Sequence, residues 1–215
     1  MSAVRVLIAD DEALIRSALR AIVDAEDDLT VVGEAATGAE VLPLVRQLRP
    51  DLVLMDVRMP DVDGIQATRH VLASVAQPPR IVVVTTFDND DYVYAALQAG
   101  ASGFLLKRTP PAEMVQAIRL AARGDTLLFP AAIRRLAARH ATGGRRALPE
   151  LTDREAGILR QVATGRSNAE IAAQLHLSTE TVKTHVASIL AKLGVRDRTQ
   201  AVIAAYESGF ITPTS

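Results

Sequence analysis

Four short apolar runs punctuate the first half of the chain: VRVLIAD (Val4 to Asp10), LVLMD (Leu52 to Asp56), IVVVTT (Ile81 to Thr86) and GFLLK (Gly103 to Lys107). Each is aliphatic or β-branched at successive positions, the pattern of a parallel strand buried on both faces, and each gives way to a helical period. A further strand is expected at Thr30 to Glu34, and helices at Glu12 to Ala25, Gly38 to Leu48, Gly64 to Val75, Asp90 to Ala99 and Pro111 to Arg123. Alternating strand and helix implies a parallel sheet with right-handed crossovers. The rhythm changes near Leu148. Thr152-x-x-Glu155, Ser167-x-x-Glu170 and Asp197-x-x-Gln200 have capping-box spacing, and Ser178 opens one more helix, so four short helices are expected. Only His176-Leu177-Ser178 separates the second from the third, a turn of helix-turn-helix length.

The polar residues at the ends of the apolar runs carry the chemistry. Asp10, Asp11, Asp56, Thr85 and Lys107 all fall at strand C-termini, and in an open α/β sheet those ends converge on one crevice. Two carboxylates about 4 Å apart repel by roughly 4 kcal/mol at an effective dielectric near 20, so three of them call for a cation. Mg²⁺ suits an all-oxygen site and commonly bridges carboxylate to phosphoryl oxygen. Thr85 and Lys107 then stand as phosphoryl partners, and Asp56, followed by the turn VRMPDVDG, as a carboxylate nucleophile able to form an aspartyl phosphate.

With Asp10-Asp11, the segment Asp56-Val57-Arg58-Met59-Pro60-Asp61-x-Asp63-Gly64, Thr85 and Phe104-Leu105-Leu106-Lys107 in place, residues 1–122 resemble the receiver domain of a two-component response regulator. The resemblance implies a CheY-like, flavodoxin-like doubly wound sheet of five parallel strands. It further implies Mg²⁺ held by Asp11 and Asp56, by Asp10 through water and by the backbone carbonyl of Arg58. Asp56 would be the phospho-acceptor, Thr85, Phe104 and Lys107 the switch residues, and a sensor histidine kinase the partner.

Residues 148–215 resemble the DNA-binding domain of NarL/LuxR-type regulators. The resemblance rests on Leu151-Thr152-x-Arg154-Glu155, Gly165-x-Ser167-Asn168-x-Glu170-Ile171-Ala172, Leu175-x-Leu177-Ser178, Thr181-Val182-Lys183-x-His185 and Lys192-Leu193. It implies a small all-α, four-helix helix-turn-helix domain whose recognition helix, Thr179 to Leu193, enters the major groove of double-stranded promoter DNA. Lys183 and Thr184 would face base edges, and Thr181, His185 and Lys192 phosphates, with Asn168 and Ser178 also on the DNA-binding side. Phosphorylation would bring two such domains together as a homodimer.

Charge changes the picture more than composition does. The net formal charge is only -1, yet residues 1–120 hold 17 acids against 11 Lys or Arg, and residues 121–147 hold 6 Arg against Asp125 alone. Whole-chain charge is therefore a poor guide to partners. The Arg-rich stretch, residues 123–147, is expected to be a linker carrying one short helix, Ala131 to His140. The absence of Cys excludes disulfides, thiolate zinc sites and cysteine catalysis. No apolar run is long enough for a membrane span, and MSAVRVLIADDE leads straight into a strand, so a soluble cytoplasmic protein without membrane contact is expected.

Two other chemistries fit less well. A haloacid-dehalogenase-like phosphatase needs a second Asp two residues after its nucleophile, where this chain has Arg58. A flavodoxin-like nucleotide carrier would place phosphate at the first strand-helix turn, but Ala9-Asp10-Asp11-Glu12 is acidic and glycine-free. His70, His140 and His176 lack a second ligand at useful spacing. The expectation is a phosphorylation-controlled transcription regulator and not an enzyme. The alternative within the class is a regulator whose receiver is vestigial.

Overall fold

The computed structural model describes residues 3–86, 90–124, 127–140 and 148–212, with the side chains of Ala138 and His140 excepted. The sequence-stretch 141–147, the dipeptide 125–126 and residues 87–89 lie outside them, including Asn89 at the expected start of a helix and most of the Gly/Arg tail of the expected linker. The chain forms two units, Met1–Ala122 and Arg123–Ser215.

The first unit alternates β1 (Val4–Ala9), α1 (Ala13–Asp24), β2 (Leu29–Ala35), α2 (Gly38–Leu48), β3 (Leu52–Asp56), α3 (Gly64–Ser74), β4 (Arg80–Thr85), α4 (Asp90–Gln98), β5 (Gly103–Leu106) and α5 (Pro111–Arg123). The strands make one sheet in the order β2-β1-β3-β4-β5, every neighbouring pair parallel. Because side chains alternate faces along a strand, burial at consecutive positions means that both faces are covered. Val6, Leu7, Ile8, Leu52, Val53, Ile81, Val82 and Val83 are all fully buried. One face continues into a core of Leu7, Val53, Met55 and Ile81 with Val41, Val45, Ala67 and Val71 from α2 and α3. The C-terminal ends of β1, β3, β4 and β5 therefore deliver Asp10, Asp56, Thr85 and Lys107 at or one residue beyond the strand end.

The second unit contains α6 (Pro130–His140), α7 (Asp153–Ala163), α8 (Asn168–Leu175), α9 (Thr179–Leu193) and α10 (Arg198–Glu207). Its helix starts obey local chemistry: Thr152 and Ser167 complete reciprocal capping boxes with Glu155 and Glu170, Ser178 caps through the Thr181 amide, and Asp197 through the Gln200 amide. Ile158, Val162, Ile171, Val182, Ile189 and Val202 are buried together with Leu159 and Ala201. The turn between α8 and α9 passes through His176 at φ 53°, a left-handed position taken here by a residue with a side chain.

Here α6 departs from the expectation of a spacer helix. It packs in the second unit against α10, with Ile133, Leu136 and Ala137 at 0 to 1% exposure. The reason lies in its spacing: Ile133, Leu136 and Ala137 fall at i, i+3 and i+4 and make one apolar stripe between arginines. Among the described residues no helix is long and apolar enough to cross a membrane.

Candidate functional site

Asp10, Asp11 and Asp56 come together with one carboxylate oxygen of each within 4.8 Å of the others. Asp10 and Asp56 are buried and Asp11 is exposed, so the cluster has an inner wall and one member facing solvent. The Lys107 ammonium, itself buried, lies 2.7 Å from Asp10 Oδ2, 3.5 Å from Asp56 Oδ2 and 3.4 Å from Glu12 Oε1. The contact with Asp10 is a buried ion pair, the shortest of the three. Three carboxylates, those of Asp10, Asp56 and Glu12, thus share the Lys107 ammonium.

Protonation follows from this imbalance. Burial is the chief force on Asp56 and pushes its carboxyl up to about 6, with Lys107 opposing and the charges of Asp10 and Asp11 reinforcing. Burial pulls the Lys107 ammonium down, but Asp10, Asp56 and Glu12 outweigh it, so its pKa stands above the ordinary lysine value.

The backbone holds the cluster in place. The Lys107 amide donates to the Thr85 carbonyl at 2.8 Å, joining the ends of β5 and β4. The Asp10 amide donates to Ala35 O at 3.1 Å, and Asp10 Oδ1 accepts from the Glu12 amide at 3.0 Å. Arg16 on α1 donates to the carbonyls of Asp10 and Asp11 at 2.7 and 3.2 Å and pairs with Glu34 at 3.2 Å. Sequence reasoning missed Arg16 and Glu12 as supports. The available signal was that both lie on the first turns after the acidic pair, one helical turn apart.

Thr85 is buried at the end of β4, one residue past Val84, the partner of Asp56 in the β3–β4 ladder. Phe104 is half-buried on β5 opposite Val83. The exposed Arg58 side chain turns to α4, its guanidinium carbon 5.2 Å from the centre of the Tyr92 ring, a cation–π arrangement.

In the second unit the predicted DNA-facing residues divide into two groups. Lys183 and Thr184 are exposed on α9, and Thr181 and His185 are partly so. Ser178 accepts from the Thr181 amide at 3.0 Å and lies 2.8 Å from its hydroxyl, so both residues also build the start of α9. Thr184 Oγ1 donates to Glu180 O at 3.0 Å, and Lys183 pairs with the exposed Glu180 at 3.3 Å, a contact of little strength in water.

Asn168 and Lys192, also expected on the DNA-binding side, have partners within the unit. Asn168 is buried and its Oδ1 accepts from Arg198 at 3.0 Å, so its side chain serves the interior of the unit. Lys192 directs its ammonium to Glu155 Oε2 at 2.6 Å. Glu155 is the central residue that the sequence disclosed only as a capping partner. It is 4% exposed and also accepts from Ser188 at 2.7 Å and from the Thr152 amide at 2.8 Å. Lys192, then the Thr152 amide and Ser188, hold its carboxyl down at about 2.

Residues 6–119 match the response regulator receiver domain family, and residues 149–205 match the bacterial regulatory proteins of the luxR family. The chain is 40% identical over 210 residues to the transcriptional regulatory protein LiaR of Bacillus subtilis, spanning 97% of this chain and 99% of that one. It is 39% identical over 209 residues to the response regulator protein VraR of Staphylococcus aureus, again spanning 97% and 99%. Among solved structures it is similar to response regulator ChrA of a heme-sensing two component system, with TM-score 0.54 and 36% identity over 98% of this chain and 100% of that one. The signal receiver domain of NarL from Mycobacterium tuberculosis is similar over 58% of this chain and 99% of that one, with TM-score 0.56 and 38% identity. An acidic strand-end cluster around one lysine, a helix-turn-helix unit and these likenesses, three of them over nearly the whole chain, agree: the chain belongs to the response regulators of two-component systems, DNA-binding transcription regulators that join a receiver domain to a LuxR-type helix-turn-helix domain.

Proposed function

We propose that residues 1–122 form a phospho-acceptor domain in which a sensor histidine kinase phosphorylates Asp56, and that this controls dimerisation and DNA binding through residues 148–215. The observation that carries the reading is the position of Asp56: a buried carboxylate with Lys107 and two further carboxylates beside it. The residues fit Mg²⁺, because the donors are hard carboxylate oxygens and one from each of Asp10, Asp11 and Asp56 converges within 4.8 Å of the others. Asp11, Asp56 and the Arg58 carbonyl would hold the ion directly and Asp10 through water. When bound, it supplies charge neutralisation for a transferring phosphoryl group.

In the step itself an Asp56 carboxylate oxygen forms a bond to phosphorus as the phosphorus–nitrogen bond of the donor phosphohistidine breaks, and the imidazole leaves. The product is an acyl phosphate. Lys107 pairs with its oxygens and the Thr85 hydroxyl moves to donate to one of them. That draws the end of β4 inward, and Phe104 turns into the space that Thr85 leaves. Moving such a two-state element from 1:99 to 99:1 takes about 5.5 kcal/mol of differential interaction, within reach of several charge-assisted hydrogen bonds in a buried site.

On the DNA side, α9 enters the major groove with Lys183 and Thr184 at base edges and Thr181, His185 and the Ser178 turn near phosphates. A homodimer places two such helices about 10 base pairs apart on promoter DNA. The setting is the cytoplasm.

The test is DNA affinity of the full chain with and without acetyl phosphate and Mg²⁺, for the wild type and Asp56→Asn. Tighter binding and a phosphoryl adduct on Asp56 in the wild type only are expected. Equal affinity in all four conditions supports the phosphorylation-independent alternative instead.

A further inference from the structure

Lys192 lies near the end of α9, where a cation would ordinarily be assigned to DNA phosphate. Its ammonium is instead 2.6 Å from Glu155 Oε2, and the partner carboxylate is 4% exposed on α7. The same carboxylate takes the Ser188 hydroxyl at 2.7 Å on Oε1 and the Thr152 amide and hydroxyl at 2.8 and 3.1 Å on Oε2. Two residues of α9, one turn apart, are therefore fastened to the first turn of α7 through one side chain that accepts on both of its oxygens. A carboxylate with four donors in a nearly dry setting loses most when a donor leaves, since the abandoned charge stays buried. The lysine half of the pair retains 37% side-chain exposure, so it is the edge of this network that meets solvent.

We infer that Glu155 and Lys192 are a positioning pair that sets the pose of α9 on α7 for DNA binding, with Lys192 held back from the phosphates. The inference deepens the proposed reading of α9 as the helix that enters the groove and rests on it. Glu155 touches no DNA in this account; it acts through Lys192 and Ser188.

Salt dependence separates a positioning lysine from a phosphate-binding one. Each phosphate neutralised contributes a slope of about -0.9 to log K against log salt, so removing a phosphate-binding lysine flattens the slope by that amount per subunit. The experiment measures affinity of the full chain for a mixed-sequence duplex, and for the duplex that wild type enriches from a randomised pool, across a salt series. Lys192→Met, Glu155→Gln, the double variant, Ser188→Ala, Lys192→Arg and Lys183→Ala are compared.

Expected are affinity for the enriched duplex on the order of tenfold weaker in Lys192→Met and in Glu155→Gln, a double variant no weaker than either single, and unchanged salt slopes in both. Ser188→Ala, which removes a neutral donor and keeps the ion pair, should fold normally and show a smaller loss in the same direction. Lys192→Arg should restore most of the affinity. Lys183→Ala should flatten the slope or relax sequence preference. A slope flattened by about 0.9 per subunit in Lys192→Met, or tighter binding in Glu155→Gln because the lysine has been released, overturns the pairing. Unchanged binding in Lys183→Ala overturns the premise that α9 faces DNA, a failure distinct from that of the pair.

Discussion

Gly64 and Asp56 meet so closely that a Cβ built on Gly64 would lie 1.9 Å from the Asp56 carbonyl oxygen. The Gly64 amide also donates to Val57 O at 3.0 Å. The start of α3 therefore presses on the backbone of the residue proposed to receive the phosphoryl group, and the obstacle is main chain, which cannot swing aside. Gly64→Ala should cost about 1 to 3 kcal/mol of stability, because relief requires a backbone shift. It should also slow labelling of Asp56 by acetyl phosphate beyond what unfolding explains. Urea denaturation and the rate of phosphoryl uptake by the folded fraction check the two effects separately.

Asp56 provides a pH prediction for the metal-free protein. Its carboxyl is raised from 3.8 to about 6, chiefly by burial. Its neutral form therefore favours the folded state below the unfolded value, and that advantage is lost as pH rises through about 6. Asp56→Asn removes the loss, so in EDTA the variant should be more stable than wild type at pH 8, by on the order of 2 to 3 kcal/mol, and nearly equal to it at pH 3.5. Mg²⁺ should narrow the gap at pH 8 by stabilising only the wild type. Denaturant titrations at the two pH values, with and without the ion, decide the matter.

Glu155 has the opposite sign. Its carboxyl is lowered to about 2, first by Lys192 and then by the Thr152 amide and Ser188. Its ionised form stabilises the second unit above the ordinary carboxylate range near 4.5, and that contribution is lost as pH falls toward 2. Hydrogen exchange of α7 and α9 amides, taken relative to the intrinsic rate at each pH, should accelerate over this interval in wild type. In Glu155→Gln it should be faster at neutral pH and change less on acidification.

Ile133 tests where α6 belongs. The residue is fully buried within the second unit. Ile133→Ala should cost about 2 to 4 kcal/mol of that unit's stability, as large-to-small changes in a packed core do. A solvated spacer helix would lose almost nothing. A chain beginning at Leu148 should be less stable than one beginning at Arg123 by at least as much, measured as the urea midpoint of each fragment.

Much of this protein is determined close to each residue. The period of Val and Ile in VRVLIA and IVVVT makes strands buried on both faces, and Thr152, Ser167, Ser178 and Asp197 start their helices by binding amides three residues on. Because Asp10, Asp56 and Lys107 directly adjoin apolar strands, the parallel topology alone was enough to bring them to one end of the sheet. Other relations depend on distances across the fold. Strand register and side-chain reach decide that Lys107 sits nearer to Asp10 than to Asp56, and that Arg16 secures the Asp10 and Asp11 carbonyls. Packing alone turns Asn168 inward to Arg198, gives Lys192 to Glu155 and gathers α6 into the second unit. Local pattern specifies which elements form because capping and apolar period act within a turn or two of chain. Partners that lie 30 or more residues apart are chosen only when the elements close on one another.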